Sequence, residues 1–367
     1  VLLSSFLFFV LKRFTQIYNF FSFMKGIPKK NITNFGSELD FMDAASFYKL
    51  LKEHFPHQPT LKQDVVLQQL SDFIYSEDKN ELFLLKGYAG TGKTTIIGAL
   101  VTNLWKTLKK SVLLAPTGRA AKVITNYSGT TAHTIHKHIY FPKKQSGGGV
   151  QFVLSPNKHT NTLFIVDEAS MIPDAPSDSK LFENGSLLDD LIQYVYSGHK
   201  CKLIFIGDTA QLPPVNLSLS PALNENTLSL NYNKEVKKME LDEVVRQQLN
   251  SGILLNATNL REQLQDDYAE DFKFKVTNFT DIIRLVDGYE IQDAINDSYS
   301  ENGKEETAII VRSNKRANLY NQQIRNRILF LENELATGDF LMVVKNNYFW
   351  LKTSSDAGFI ANGDIIE

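Results

Sequence analysis

The sequence predicts an α/β fold built on a parallel sheet, and three observations lead there. From Leu82 to about Val245, short apolar runs alternate with helical patterns, as expected where crossover helices cover both faces of a sheet. One strand-to-helix junction carries the glycine-rich run Gly87-Tyr88-Ala89-Gly90-Thr91-Gly92-Lys93-Thr94. Two further apolar runs end in polar clusters, Asp167-Glu168 and Gly207-Asp208. In such sheets ligands bind at the carboxyl ends of the strands, where all three motifs fall.

The chain starts with an apolar run, Val1 to Leu11, closed by Lys12-Arg13. Eleven residues fall short of the ~20 needed to cross a bilayer. A signal peptide would carry its positive charges before the run, not after it. Residues 1–41 are therefore expected to be an extension, disordered or foreign to the domain, with no membrane association, a membrane-associating tail being the alternative. The first domain covers 42–246, with strands at 82–86, 111–115, 162–167 and 202–206 and helices at 93–108, 118–126 and 186–197. Within it, 139–158 reads as an inserted β-hairpin, two aromatic, alternating arms around Gly147-Gly148-Gly149. A more acidic helical connector follows over 247–306. A second α/β signal covers 307–335, with a strand at Thr307–Val311 and a helix from Asn314 to Phe330, and 336–367 is strand-like.

Net charge is only −2, but its distribution is uneven. From Leu82 to Val166 there is no Asp or Glu, against eleven Lys and Arg. A single-sign block of this length is a footprint for polyanions, and one nucleotide site would not need so many charges. One cysteine, Cys201, excludes an internal disulfide framework and suits a reducing, cytoplasmic setting.

The glycine-rich run fits G-x-x-x-x-G-K-[ST] without a mismatch. Its glycines let backbone N–H groups at a helix N-terminus wrap a phosphate chain. Gly87 to Thr95 thus form the candidate nucleotide loop, with Lys93 neutralising the β- and γ-phosphates and the Thr94 hydroxyl holding Mg²⁺. Asp167 at a strand end is a second Mg²⁺ ligand, and Glu168 is placed as general base for an attacking water. Gln211, in Gly207-Asp208-Thr209-Ala210-Gln211-Leu212-Pro213-Pro214-Val215, can bond the γ-phosphate and that water. His133, His136 and His138 are close in sequence, but with no Cys and no nearby acid a zinc site is disfavoured.

Taken in order, these motifs resemble superfamily 1 DNA helicases, the RecD-like and Dda-like AAA-type ATPases of the 5′-to-3′ branch. Matching segments are Gly87 to Thr94, Ala115-Pro116-Thr117-Gly118-Arg119-Ala120-Ala121, Asp167-Glu168-Ala169-Ser170-Met171, Gly207 to Val215, and Leu241-Asp242-Glu243-Val244-Val245-Arg246-Gln247. The resemblance extends over roughly 58–367. It implies a P-loop, RecA-like first domain, an incomplete second RecA-like domain and the start of a small SH3-like barrel. Arg246 would be an arginine finger on the γ-phosphate. Gln63 would read adenine, the alternative being a helix N-terminal residue. Pro116, Thr117 and Arg119 would grip a single strand, with Thr134 and His136 in a further contacting segment. Phe141 and Phe152 on the hairpin would stack on bases, or else pack its two faces.

The family's T-x-H-K-x-Q-G motif and late arginine do not occur in this chain, which leads to the expectation of a C-terminally truncated product. What the resemblance implies is an ATP- and Mg²⁺-dependent helicase acting on single-stranded DNA and duplex junctions as a monomeric motor. Two alternatives stay open: a truncated ATP- and DNA-binding module with little turnover, or a DNA-stimulated ATPase of repair or recombination that does not unwind.

Overall fold

The computed structural model describes residues 42–144, 150–173, 186–243, 251–265, 273–344, 347, 360 and 363–366. Helices α1 (Ala44–Glu53) and α2 (Leu61–Tyr75) lead into an alternating series. It runs β1 (Glu81–Gly87), α3 (Lys93–Leu104), β2 (Lys110–Ala115), α4 (Gly118–Ser128), β3 (Ala132–Thr134) and α5 (Ile135–Ile139). After β4 (Tyr140–Lys144) and β5 (Val150–Leu154) come β6 (Thr162–Val166), α6 (Leu187–Ser197), β7 (Lys202–Gly207), α7 (Glu225–Tyr232) and β8 (Glu235–Leu241).

Six strands form one parallel sheet in the order β3-β2-β6-β7-β1-β8. Its middle is wholly apolar because both faces are covered. Leu82, Leu84, Phe164, Val166, Leu203 and Phe205 join a cluster with Leu188, Leu191 and Val195 of α6. On the opposite face Phe83 meets Phe73 of α2, with ring centroids 5.4 Å apart. Burying each such side chain contributes about 1.5–3 kcal/mol. The four expected central strands are all present; β3 and β8, at the two edges, extend the sheet beyond them. Leu108 ends the expected 93–108 helix early: after Leu104 the chain tightens into a 3₁₀ turn and Leu108 turns left-handed at φ 59°.

At the amino ends of β1 and β7 a buried ion pair joins the strands. Lys202 Nζ lies 3.0 Å from Glu81 Oε2 and also donates to the Phe73 carbonyl at 2.7 Å. Burial pushes the Lys202 ammonium down and Glu81 holds it charged. Glu81→Ala strands that cation in the core, so it is expected to cost about 3–5 kcal/mol. The check is a lower denaturant midpoint with an unchanged m-value.

The hairpin is present as β4 paired antiparallel with β5, Phe141 opposite Val153 and Pro142 opposite Phe152, while its turn at 145–149 lies outside the described residues. Beyond β8 come α8 (Gly252–Gln265), α9 (Gly288–Glu301), the short α10 (Gly303–Glu306) and α11 (Asn314–Arg327). Asp281 fixes the start of α8 by accepting from the N–H groups of Gly252 and Ile253 at 2.9 and 3.2 Å. Then β9 (Leu341–Met342) pairs antiparallel with β10 (Ile365–Ile366). The strand expected at Thr307–Val311 is a correction. That segment joins no ladder among the described residues, and Ile310 is 95% exposed. An apolar run becomes a strand only where a neighbour takes its backbone bonds.

Candidate functional site

The glycine-rich loop joins the end of β1 to the start of α3. Gly92 caps α3 at φ 90°, and a Cβ there would stand 2.3 Å from Gln63 Nε2, so the position requires glycine. Buried Thr91 closes the loop, its hydroxyl donating to the Tyr88 carbonyl at 2.8 Å. Lys93 Nζ donates to the carbonyls of Gly87 and Tyr88 at 2.6 and 2.9 Å. Burial depresses the Lys93 ammonium, while Asp208, Asp167 and Glu168 push it back up.

Asp167 and Glu168 follow β6 directly. The Asp167 N–H continues the sheet by donating to the Leu114 carbonyl at 3.0 Å. Its carboxylate accepts from the Glu168 N–H at 2.8 Å and from the Tyr127 hydroxyl at 2.9 Å. Glu168 sits at φ 56°, a left-handed conformation costing a non-glycine residue about 1 kcal/mol or more, as found where function dictates geometry. Burial first, then the Asp167 charge, raises the Glu168 carboxyl above the usual range. After β7, Asp208 accepts from the Ala210 N–H at 2.8 Å and shapes the turn that carries Gln211. The Ser170 hydroxyl donates to Gln211 Oε1 at 3.1 Å, tying two of the sequence motifs together.

The three motifs thus meet. A cavity of ≈450 Å³ is lined by Tyr88, Ala89, Gly90, Gly92, Lys93, Thr94, Thr95, Asp167, Glu168 and Gln211, with His57 at its edge. Gln63 takes the second of its two expected places, at the start of α2. It is fully buried, its Oε1 accepts from the Thr60 N–H at 3.0 Å, and its Nε2 donates to the Thr91 carbonyl at 2.9 Å. Its amide oxygen closes the capping box of α2 with Thr60, and its amide nitrogen braces the loop at Thr91. Arg246 lies outside the described residues. Sequence reading also missed Arg261 of α8, whose guanidinium carbon stands 4.8 Å from the Tyr88 ring centroid and whose charge bears on Lys93.

A second cavity, ≈340 Å³, lies between α4 and β3 within the basic block. Gly118, Ala121, Lys122, Thr125 and Asn126 of α4 line it with Thr131, Ala132, His133, Thr134, Lys137 and Asp364. Thr117 caps α4 by accepting from the Ala120 N–H at 3.2 Å, and Arg119 is exposed beside it. Pro116 is half-buried at the end of β2. Thr134 is buried and spent as the cap of α5, accepting from the Lys137 N–H at 3.2 Å. On the hairpin Phe141 is 42% exposed, whereas Phe152 is 3% exposed and so is corrected from base-stacking candidate to packing residue. His136 is tilted against Tyr140 and driven by burial to a pKa of about 4, so at neutral pH it offers a strand no charge.

His138 stacks between His133 and His159, with centroids 6.0 and 5.3 Å away. No group of three or more His, Cys, Asp or Glu suited to a metal occurs among the described residues. Burial first, then its two neighbours, brings His138 to about 4 as well. Both His136 and His138 are therefore neutral when folded and protonate near 6.5 when unfolded. Stability is full above pH 6.5 and drains away as pH falls towards 4, by up to about 3 kcal/mol for each. Melting temperatures across pH 7 to 4 check this, and His138→Phe should flatten the slope.

With this geometry in hand, the family can be given. The AAA domain family model matches residues 69–275, more than half of the chain. The chain belongs to that family. Its relatives include the ATP-dependent RecD2 DNA helicase of Deinococcus radiodurans, 36% identical over 160 residues, which covers 43% of this chain and 19% of that protein. The ATP-dependent DNA helicase dda of Enterobacteria phage T4 is 27% identical over 281 residues, covering 73% of this chain and 57% of the phage protein. Among solved structures, the Pif1 helicase from Candida albicans aligns with a TM-score of 0.41 at 17% identity, over 78% of this chain and 57% of that one. The AAA-domain chain thus spans little more than half the length of the phage relative and a fifth of the bacterial one. The resemblance to RecD-like and Dda-like proteins read from the motifs is borne out by these relatives. No described helix is long and apolar enough to cross a membrane.

Proposed function

We propose that this chain is the ATP-hydrolysing part of a DNA helicase that moves along single-stranded DNA. The observation that carries the reading is the convergence of Lys93, Thr94, Asp167, Glu168 and Gln211 on one cavity, next to a groove edged by Lys122 and Lys137. Lys93 and the loop N–H groups would hold the triphosphate. Glu168, its carboxyl raised by burial and by the Asp167 charge, would draw the proton from an attacking water. Gln211, fixed by Ser170, would orient that water. Arg246 would add charge at the γ-phosphate, as the motif resemblance implies.

Mg²⁺ fits the donors of this site. The Thr94 hydroxyl and the Asp167 carboxylate line the same cavity, both are hard oxygen ligands, and a pair of protein ligands leaves room for phosphate oxygens. When bound, the ion supplies neutralisation of the phosphate charge. On the nucleic-acid side, Pro116, Thr117 and exposed Arg119 lie at the start of α4, whose later residues line the groove, and Phe141 is a hairpin aromatic open to a base. The motif resemblance would further imply 5′-to-3′ movement, a duplex junction as substrate and a monomeric motor.

A DNA-stimulated ATPase without unwinding is the second reading, because the groove and the ATP cavity alone account for stimulation. Strand displacement on a tailed duplex separates the two. Helicase action predicts ATP-dependent release of the displaced strand. ATP consumption without any release would leave only the ATPase.

A further inference from the structure

The two cavities are joined by one short helix. Along one face, α4 presents Gly118, Ala121, Lys122 and Thr125 to the groove, whose charged lining is Lys122 and Lys137 with one carboxylate, Asp364. From its last turn, Tyr127 donates its hydroxyl hydrogen to Asp167 Oδ2 at 2.9 Å. The other Asp167 oxygen is already held by the Glu168 N–H at 2.8 Å. The Tyr127 bond therefore completes the orientation of the carboxylate assigned to Mg²⁺.

Several contacts tie α4 into one unit. Ala121 and Ile124 are buried beneath it. Thr125 Oγ1 donates to the Ala121 carbonyl at 2.9 Å and accepts from the Ala132 N–H at 2.9 Å, binding the helix to β3. Gly129 ends it in the left-handed region, its N–H returning to the Thr125 carbonyl at 3.0 Å. Eleven residues make a rod of roughly 16 Å, so a small tilt at the groove shifts the tyrosine hydroxyl by a comparable distance. A hydrogen bond weakens steeply once its angle falls or its length grows, which turns such a shift into a change in how firmly Asp167 is held.

We propose that Tyr127 is a positioning residue that ties the orientation of the Asp167 carboxylate, through α4, to whether a polyanionic strand fills the basic groove. The residue touches neither strand nor nucleotide; it acts through Asp167. The inference rests on the helicase reading of the two cavities. By linkage the coupling runs both ways, so Mg²⁺-nucleotide must change strand affinity by the factor with which the strand changes nucleotide affinity.

The test is a binding cycle on the full chain, read by fluorescence anisotropy with labelled oligothymidylate as the strand. Affinity is measured with and without Mg²⁺ and a non-hydrolysable ATP analogue, for wild type and for Tyr127→Phe. Phenylalanine keeps the ring and removes only the donor, and a thermal melt of each protein checks that the fold is kept. Wild type is expected to show a change of about five-fold or more between the two conditions. In Tyr127→Phe that ratio is expected to fall towards one, while affinity without nucleotide stays within about two-fold of wild type. Tyr127→Leu, which loses ring and donor together, should match the phenylalanine variant in the ratio. Retention of the wild-type ratio by either folded variant overturns the inference, as does wild type binding both ligands without coupling; both results leave the helicase reading standing. A wild-type chain that binds neither ligand overturns the two together.

Discussion

Lys93→Ala is expected to abolish ATP turnover, by about 100-fold or more. The ammonium lies inside the loop, 2.6 and 2.9 Å from the Gly87 and Tyr88 carbonyls, with Asp167, Glu168 and Asp208 close enough to hold it charged against burial. A triphosphate entering this cavity would exchange those carbonyl bonds for bonds to phosphate oxygens. Alanine removes the charge and leaves the backbone of α3 in place, so the melting temperature should change little. Steady-state phosphate release measures the effect. A variant retaining a third or more of wild-type turnover would show that the loop does not hold the reacting phosphates.

Glu168→Gln separates binding from chemistry. The glutamine keeps size and hydrogen-bonding capacity but accepts no proton, so kcat should fall by about 10²–10⁴-fold with ATP affinity kept. The raised Glu168 carboxyl also predicts an acid limb in the wild-type rate. Activity needs the ionised form, hence it is lost as pH falls through a pKa lifted above 4.5. Single-turnover rates with bound nucleotide at several pH values check both statements. An unchanged kcat in Glu168→Gln would remove this residue from the chemistry.

The central strands and the phosphate loop were legible in the sequence because their signals are local. Leu82–Leu85 and Leu163–Val166 are apolar without interruption, and glycine spacing is set by the backbone the loop must adopt. β8 was not legible, since Glu235, Lys237, Lys238 and Glu240 break its apolar character. Only an edge position, paired on one side with β1, tolerates such a strand. Phe152 shows a second limit: alternation along a hairpin arm reveals two faces but not which one meets the core. Ser170, Tyr127 and Arg261 gain their places through contacts 41, 40 and more than 100 residues away in the chain, which no local pattern announces. Gln63 was found as a motif residue, yet its orientation depends on Thr60 and Thr91 together.

One measurement bears most directly on the claim that a nucleotide cavity and a strand-binding groove act as one device. It is the rate of ATP hydrolysis by the wild-type chain with and without single-stranded DNA at saturating Mg²⁺-ATP. A rate that rises several-fold with the strand, and loses that rise when Arg119 and Lys122 are both replaced by alanine, is the predicted result. A rate indifferent to the strand would contradict it.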